Sequence, residues 1–525
     1  MRAGSHSVFF NPNNVQIMRL SIRGSIMPKV PVSERDVSIR RTLTREQSKE
    51  IKQMMLGRQA KETSIADLCA LFWKLEEKHY LIDMSAHKVH PWPLIRMPLY
   101  YSLTRKLALF DPPHPAGTAS HSSISFIRYI KFILWFKLLK FRNVKPPQDV
   151  WTPAVLLMST RRMGTSEPCS DAVRAELGPR ALLIDRPYKK DIHPGSFDTK
   201  VLRRAFTTLY HFKSESELPV SIIQKLHEVR MDFIEALGVD PGDLVRQSRK
   251  SVLDFQSMRD GMQVMCQRLG IKTMFLSHGY GSSNMAMLEG ARLAGARIIE
   301  LQHGIISKYH LGYSYPNRTV VPHMPDELWC FGQYWIDTTP LPSAMKTKVI
   351  GAPYVAKRAL ESTSPRNPNQ VIFNSQGVVG RLIVDFALQT ARLRKDLKVI
   401  FRLHPSENIE TYKKLLSKFG SIPDNFSLST RTPNIFALQA ESGIQVGAFS
   451  TTLFEGMALG TRTICLDLPG VEYMEPAIAR GDVIKVKSVE ELVQEIDKAP
   501  FPRDPQVYYA IPPDRLLTSQ NEGSI

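Results

Sequence analysis

The sequence predicts an α/β protein: two Rossmann-like domains facing a cleft, behind a basic, mainly helical amino-terminal extension. Three observations lead there. From Trp151 onward, short β-rich runs alternate with amphipathic stretches, as parallel α/β architecture requires. The alternation occurs twice, restarting at Gln370. The first 150 residues have another texture, with 24 Lys and Arg against 11 Asp and Glu, so they hold +13 of the formal charge of +19.

The 525 residues allow two to four folding units. At 43% hydrophobic and 23% charged, the composition excludes a disordered chain or a membrane bundle. No uninterrupted run of about 18 apolar residues occurs and no signal-peptide pattern opens the chain, so a cytoplasmic location is expected. The five cysteines are odd in number and at least 64 residues apart, against structural zinc and a disulfide framework. The pI is near 9.6, but the cations interleave with apolar runs rather than forming a nucleic-acid module, so no nucleic-acid partner is expected.

In chain order, residues 1–60 are a polar, basic segment, and Met18 and Met27 are plausible alternative starts. Residues 61–150 are helical, basic and aromatic. Within them SIADLCALFWKLEEKHY has helical spacing, and 123–145 resembles an interfacial helix. Its cations split: Arg128, Lys131 and Arg142 cluster on one side, Lys137 and Lys140 nearly opposite. Contact with an anionic membrane surface competes here with a helix packed on the body, its lysines snorkelling. Residues 151–345 form the first α/β domain, with strands in PAVLLMS, ALLIDRP, TMFLSHG and ARIIELQHG. Residues 346–499 form the second, with strands in QVIFNS, LKVIFRLHP, FSLST, GIQVGAF, TRTICLD and DVIKV. Residues 500–525 are a polar tail, an arm or linker.

Chemistry gathers at strand ends, where open α/β sheets bind ligands. In Arg402-Leu403-His404-Pro405, proline stops the strand and projects His404 over its edge, where it and Arg402 can donate to a phosphate. The alternative is a histidine capping the next helix. Gly447-Ala448-Phe449-Ser450-Thr451-Thr452-Leu453-Phe454-Glu455 runs from a strand through hydroxyls into a helix. It brings N–H groups and the positive end of a dipole to one point. Glu455 either meets donor hydroxyls or closes a capping box with Thr452. In Glu300-Leu301-Gln302-His303-Gly304, glycine lets backbone approach a ligand, and His303 can take a proton from a hydroxyl at neutral pH. Its alternative is a structural bridge between loops. His278-Gly279-Tyr280-Gly281 is similar in kind, and Asn284 occupies the third glycine position of a dinucleotide fingerprint, so an oxidoreductase is not supported. G-x-x-x-x-G-K-[ST], D-x-D, G-x-S-x-G and H-E-x-x-H are all missing, and nothing in the sequence calls for a metal or another cofactor.

Together the HG and HP motifs, the S-T-T-x-x-E helix start and the tandem halves resemble GT-B glycosyltransferases of the bacterial capsule and surface-polysaccharide group. Their relatives include polysialyltransferases, Kdo transferases and CDP-glycerol glycerophosphotransferases. The resemblance covers about residues 151–499. It implies a metal-independent transferase moving a sugar from a nucleotide-activated donor to a membrane-linked polysaccharide or lipid-linked acceptor, peripherally on the inner face of the cell membrane. By position it implies that His404 meets the donor phosphate, that Ser450, Thr451 and Thr452 meet its phosphate or nucleotide, and that His303 is a base candidate. The residues themselves add Arg402 beside His404 at the phosphate, Glu455 at donor hydroxyls, His278 or Glu300 as substitutes for the base, and Gly279, Gly304 and Gly447 as further cleft residues. Gln302 stands where glycerophosphotransferases carry tryptophan, which argues against a polyol-phosphate donor. The acidic base motif of polysialyltransferases is not evident, which leaves sugar and base open. The rival readings are a nucleotide-sugar epimerase on the same fold and a non-catalytic polysaccharide-assembly scaffold.

Overall fold

Strands buried on both faces need helices on both faces, and parallel sheets supply that arrangement. The computed structural model describes residues 63–110, 126–138, 151–158, 166–186, 193, 195–210, 217–361, 365–405, 407–430 and 433–517. The segment 1–60, together with Lys140, Arg142 and Lys145, lies outside the described residues.

The first sheet contains β1 (Ala154–Leu157), β2 (Ala181–Asp185), β3 (Phe197–Asp198), β4 (Thr273–Leu276), β5 (Arg297–Leu301), β6 (Glu327–Cys330) and β7 (Lys346–Val349). Their order is β3-β2-β1-β4-β5-β6-β7. The second contains β8 (Asn367–Asn374), β9 (Lys398–Arg402), β10 (Phe426–Ser429), β11 (Ser442–Gly447), β12 (Arg462–Leu466) and β13 (Val483–Val486), in the order β10-β9-β8-β11-β12-β13. All the pairings are parallel. β1, β4 and β6 are buried at every position, and so is β11. The two-domain α/β class expected from the sequence is the one observed. In each sheet the strand order reverses beside the first strand, at β1/β4 and at β8/β11, and a doubly wound sheet leaves its ligand crevice at that switch point.

Two boundaries differ from the sequence reading. β7 pairs with β6, so the first unit runs to residue 349 rather than 345. Helices Ile65–Lys78 and Pro91–Lys106 share one apolar core with helices Val220–Leu237 and Leu244–Leu269, so residues 63–106 belong to the body of the first unit. Ser64 caps the first of these helices through a reciprocal pair with Asp67.

The tail returns to the first unit. Trp335 Nε1 donates to Tyr508 O (2.7 Å), Tyr508 OH to Asp482 (2.7 Å), and Glu176 accepts from the N–H groups of Leu516 and Leu517 (2.7 and 2.9 Å). Glycine is required beneath it: a Cβ at Gly332 would meet Val507 O at 2.2 Å.

A shared apolar cluster joins the units, combining Tyr313 and Leu328 with Leu453, Phe454 and Tyr508. Trp335 and Phe454 meet edge-to-face at 4.6 Å between centroids, an aromatic pair worth about 0.5–1.5 kcal/mol beyond its burial. No helix among the described residues is long and apolar enough to cross a membrane.

Candidate active site

The carboxyl edges of the two sheets are turned toward each other. The loop after β5 touches the loop after β12, where Tyr309 OH donates to Glu475 (2.9 Å), and Tyr100 OH meets Tyr473 OH at 3.0 Å.

On the first edge, β4 and β5 are neighbours with Leu276 opposite Glu300. The residues just past their ends therefore meet, and the rings of His278 and His303 lie 5.4 Å apart. Asn284, one turn into the following helix, donates through Nδ2 to His278 Nε2 (3.0 Å) and to its carbonyl (2.8 Å), which ties that ring down. His303 is held more loosely, with Tyr313 OH 3.4 Å from Nδ1 and Tyr280 OH 3.4 Å from Nε2.

Tyr313 OH donates to Glu300 Oε1 at 2.5 Å. With its proton pointing there, the phenolic oxygen accepts from Nδ1–H of His303, and Nε2 keeps the basic lone pair. Glu300 is fully buried, and burial pushes its carboxyl up to about 7 against the hydrogen bonds from Tyr313 and the Gly279 backbone. Gly279 is a packing requirement, because a Cβ there would lie 2.6 Å from Glu300 Oε2. Half-buried His310 is held down to about 4 by desolvation, so it is a neutral ring packed 5.0 Å from both Tyr280 and Tyr313.

The loop bearing these tyrosines is clamped from beneath. Arg96, 1% exposed, pairs with Glu76 (2.5 Å), donates to the carbonyls of Leu311 and Ser314, and lies 4.2 Å over the Tyr315 ring. Gln302 stitches the turn at Gly304, donating to Gly304 O and accepting from Phe331 N, both at 2.8 Å.

On the second edge, the crevice at β8/β11 is flanked by Ser375 on one side and Ser450 on the other. Ser450 is the N-cap of helix Thr451–Ala458, its side chain accepting from Thr452 N (3.2 Å). Ser450, Thr451 and Thr452 are half-buried. This places Glu455 in the second turn, so the Thr452–Glu455 capping box does not form. Glu455 instead accepts from Tyr354 OH (3.0 Å), at the crossover between units. Gly456 lets the helix settle on β11, since a Cβ there would fall 2.4 Å from the Gln445 amide. Gly447 lies buried under Leu453.

His404 follows β9, next to β8, and hence sits about 10 Å from the end of β11 at two strand spacings. Its ring is exposed, while its backbone N–H donates to Glu407 (2.6 Å), a carboxylate that also accepts from Ser375 Oγ (2.9 Å) and Tyr412 OH (2.6 Å). Arg402 turns away, with Nη1 donating to Ser429 Oγ (2.9 Å) and Pro433 O (2.7 Å) beside β10.

Sequence reasoning missed Glu407, Ser375, Asn284 and the Glu76–Arg96 pair. Glu407 carried a readable signal: an acid three residues after a strand-end histidine has the spacing of a backbone cap. The Glu76–Arg96 pair serves a loop more than 200 residues away, through Leu311 O and Ser314 O, and left no local mark.

No family model and no curated relative matches this chain. Solved structures with a similar course include the UDP-GlcNAc 2-epimerase of Neisseria meningitidis bound to UDP-GlcNAc, with 12% identity over 66% of this chain and 90% of that one, TM-score 0.40. The UDP-GlcNAc 2-epimerase of Methanocaldococcus jannaschii in complex with UDP-GlcNAc and UDP is 12% identical over 67% and 95%, TM-score 0.39. A spinosyn rhamnosyltransferase is 13% identical over 66% and 91%, TM-score 0.36. These are distant likenesses of shape, and no functional step follows from them.

Proposed function

We propose that the chain is a metal-independent glycosyltransferase moving a sugar from a nucleotide-activated donor to a membrane-linked surface polysaccharide. One observation supports the reading: the edge with the His303–Tyr313–Glu300 network and the edge with exposed His404 and the helix start at Ser450 belong to sheets whose end loops touch, Tyr309 OH donating to Glu475. The donor phosphate or diphosphate would sit at the β8/β11 crevice, against the N–H groups and hydroxyls of Ser450, Thr451 and Thr452, with His404 donating to it. Glu455 would accept from donor hydroxyls beside Tyr354, and Arg402 would act by shaping the β9 edge.

In the reaction, the acceptor hydroxyl would bond to the anomeric carbon as the bond from that carbon to the donor's phosphate oxygen breaks and the nucleotide leaves. The hydroxyl proton would pass to His303 Nε2, and Tyr313, fixed by Glu300, would hold Nδ1–H. Because Asn284 donates to His278 Nε2 at 3.0 Å while Tyr280 OH stands farther, 3.4 Å, from His303 Nε2, His303 is the preferred base.

The test is a donor screen by mass spectrometry with CMP-, UDP-, GDP- and CDP-activated sugars, with and without membrane extract. Transfer that requires the extract supports the proposal. Isomerisation of a donor alone replaces it with the epimerase reading, and the absence of any nucleotide binding replaces it with a scaffold.

A further inference from the structure

Helix Phe126–Leu138 uses two apolar faces. One packs inward: Phe132 and Phe136 are 2% and 3% exposed and meet Phe206 edge-to-face, with centroids 5.8 and 5.6 Å apart. Trp135 lies 4.7 Å from Phe197, and Arg268 donates to Phe136 O (2.9 Å). The other face is bare, with Ile127 62%, Ile130 38%, Leu134 48% and Leu138 64% exposed. At 100° per residue these four fall within an arc of about 80°. Lys137 borders the arc about 20° beyond Ile130, and Lys131 about 20° beyond Leu138, with Arg128 further round. The helix contains no acidic residue.

The split charge of the sequence thus has a geometric cause. The cations are the two rims of an outward apolar ridge, and the aromatic face between their far sides is spent on the protein body. We infer that this ridge rests on an anionic lipid bilayer, with Ile127, Ile130, Leu134 and Leu138 entering the acyl boundary and Arg128, Lys131 and Lys137 meeting head-group phosphates. The charge pattern selects lipid: cations on both flanks of an apolar strip match a plane of anionic head groups over hydrocarbon. Packing on the body accounts for the aromatic face alone and leaves the four aliphatic side chains exposed. The inference concerns where the protein sits, and it stands whether the cleft transfers or epimerises.

The experiment is co-sedimentation of the full chain with phosphatidylcholine vesicles with and without phosphatidylglycerol. Each cation near an anionic surface strengthens partitioning about fivefold, so the triple variant Arg128→Gln, Lys131→Gln, Lys137→Gln should bind anionic vesicles about a hundredfold more weakly. It should bind neutral ones nearly unchanged. Leu134→Asp should abolish binding to both with the thermal midpoint kept. If that variant fails to fold, the triple variant decides. The inference is overturned if the natural chain ignores anionic vesicles or if the triple variant binds them as the natural chain does. It is also overturned if light scattering shows a dimer that Leu134→Asp dissociates while no lipid binds, which would assign the ridge to a second copy.

Discussion

The two carboxyl edges start from similar sequence, a histidine just past a buried strand, and end with different chemistry. After β5, His303 sits among Tyr280, Tyr313 and a fully buried Glu300, in a network suited to holding and moving a proton. After β9, His404 is exposed and its backbone N–H donates to Glu407, beside a crevice whose other wall is a helix start. The work a strand-end histidine can do is therefore set by what surrounds it. Burial tunes proton affinity, while exposure beside N–H groups makes an anion site.

The sharpest way to break this division is at its first member. His303→Ala should lower turnover by about 10²–10⁴ and leave nucleotide affinity unchanged, read from initial rates and calorimetric titration. Equal losses in both would merge the two edges into one.

The next effect belongs to Glu300. Its folded value, near 7, lies above the ordinary 4.5, so between those values the native chain keeps a proton that the unfolded chain releases. That contribution to stability is fully present below pH 4.5 and is lost as pH rises through 7, at about 1.4 kcal/mol per pH unit. Urea unfolding across this window should show the slope in the natural chain and a flatter profile in Glu300→Gln. The same ionisation predicts a turnover limb rising near pH 7 that Glu300→Gln removes.

His404→Ala should lower transfer by about 10² while leaving stability unchanged, because the ring is exposed. Gly279→Ala should cost about 1–3 kcal/mol in unfolding experiments, since its Cβ presses on the Glu300 carboxylate. An unperturbed Gly279→Ala would mean that the first edge is looser than its contacts indicate.

Much of this was legible in the sequence, for physical reasons. Strand runs such as QVIFNS and GIQVGAF are short, apolar and bounded by breakers, and they appear as β8 and β11. The strand-end histidines were equally plain. Nothing was read between ALLIDRP and TMFLSHG, where helices Thr199–Tyr210, Val220–Leu237 and Leu244–Leu269 lie. Their apolar positions serve a core shared with residues 63–106, a partner that local periodicity does not name. The tail looked like an arm because proline and polar residues dominate it, yet Tyr508, Leu516 and Leu517 are buried by contacts made more than 150 residues away. The Thr452–Glu455 capping box failed because the strand ends early enough for Ser450 to take the cap first.

The division of labour between the edges is tested most directly by titrating UDP, CDP, GDP and CMP in turn into the natural chain, His404→Ala and His303→Ala. The account predicts that one nucleotide binds, that His404→Ala weakens it tenfold or more, about 1.4 kcal/mol, and that His303→Ala leaves it unchanged. Binding lost in His303→Ala and kept in His404→Ala would contradict it.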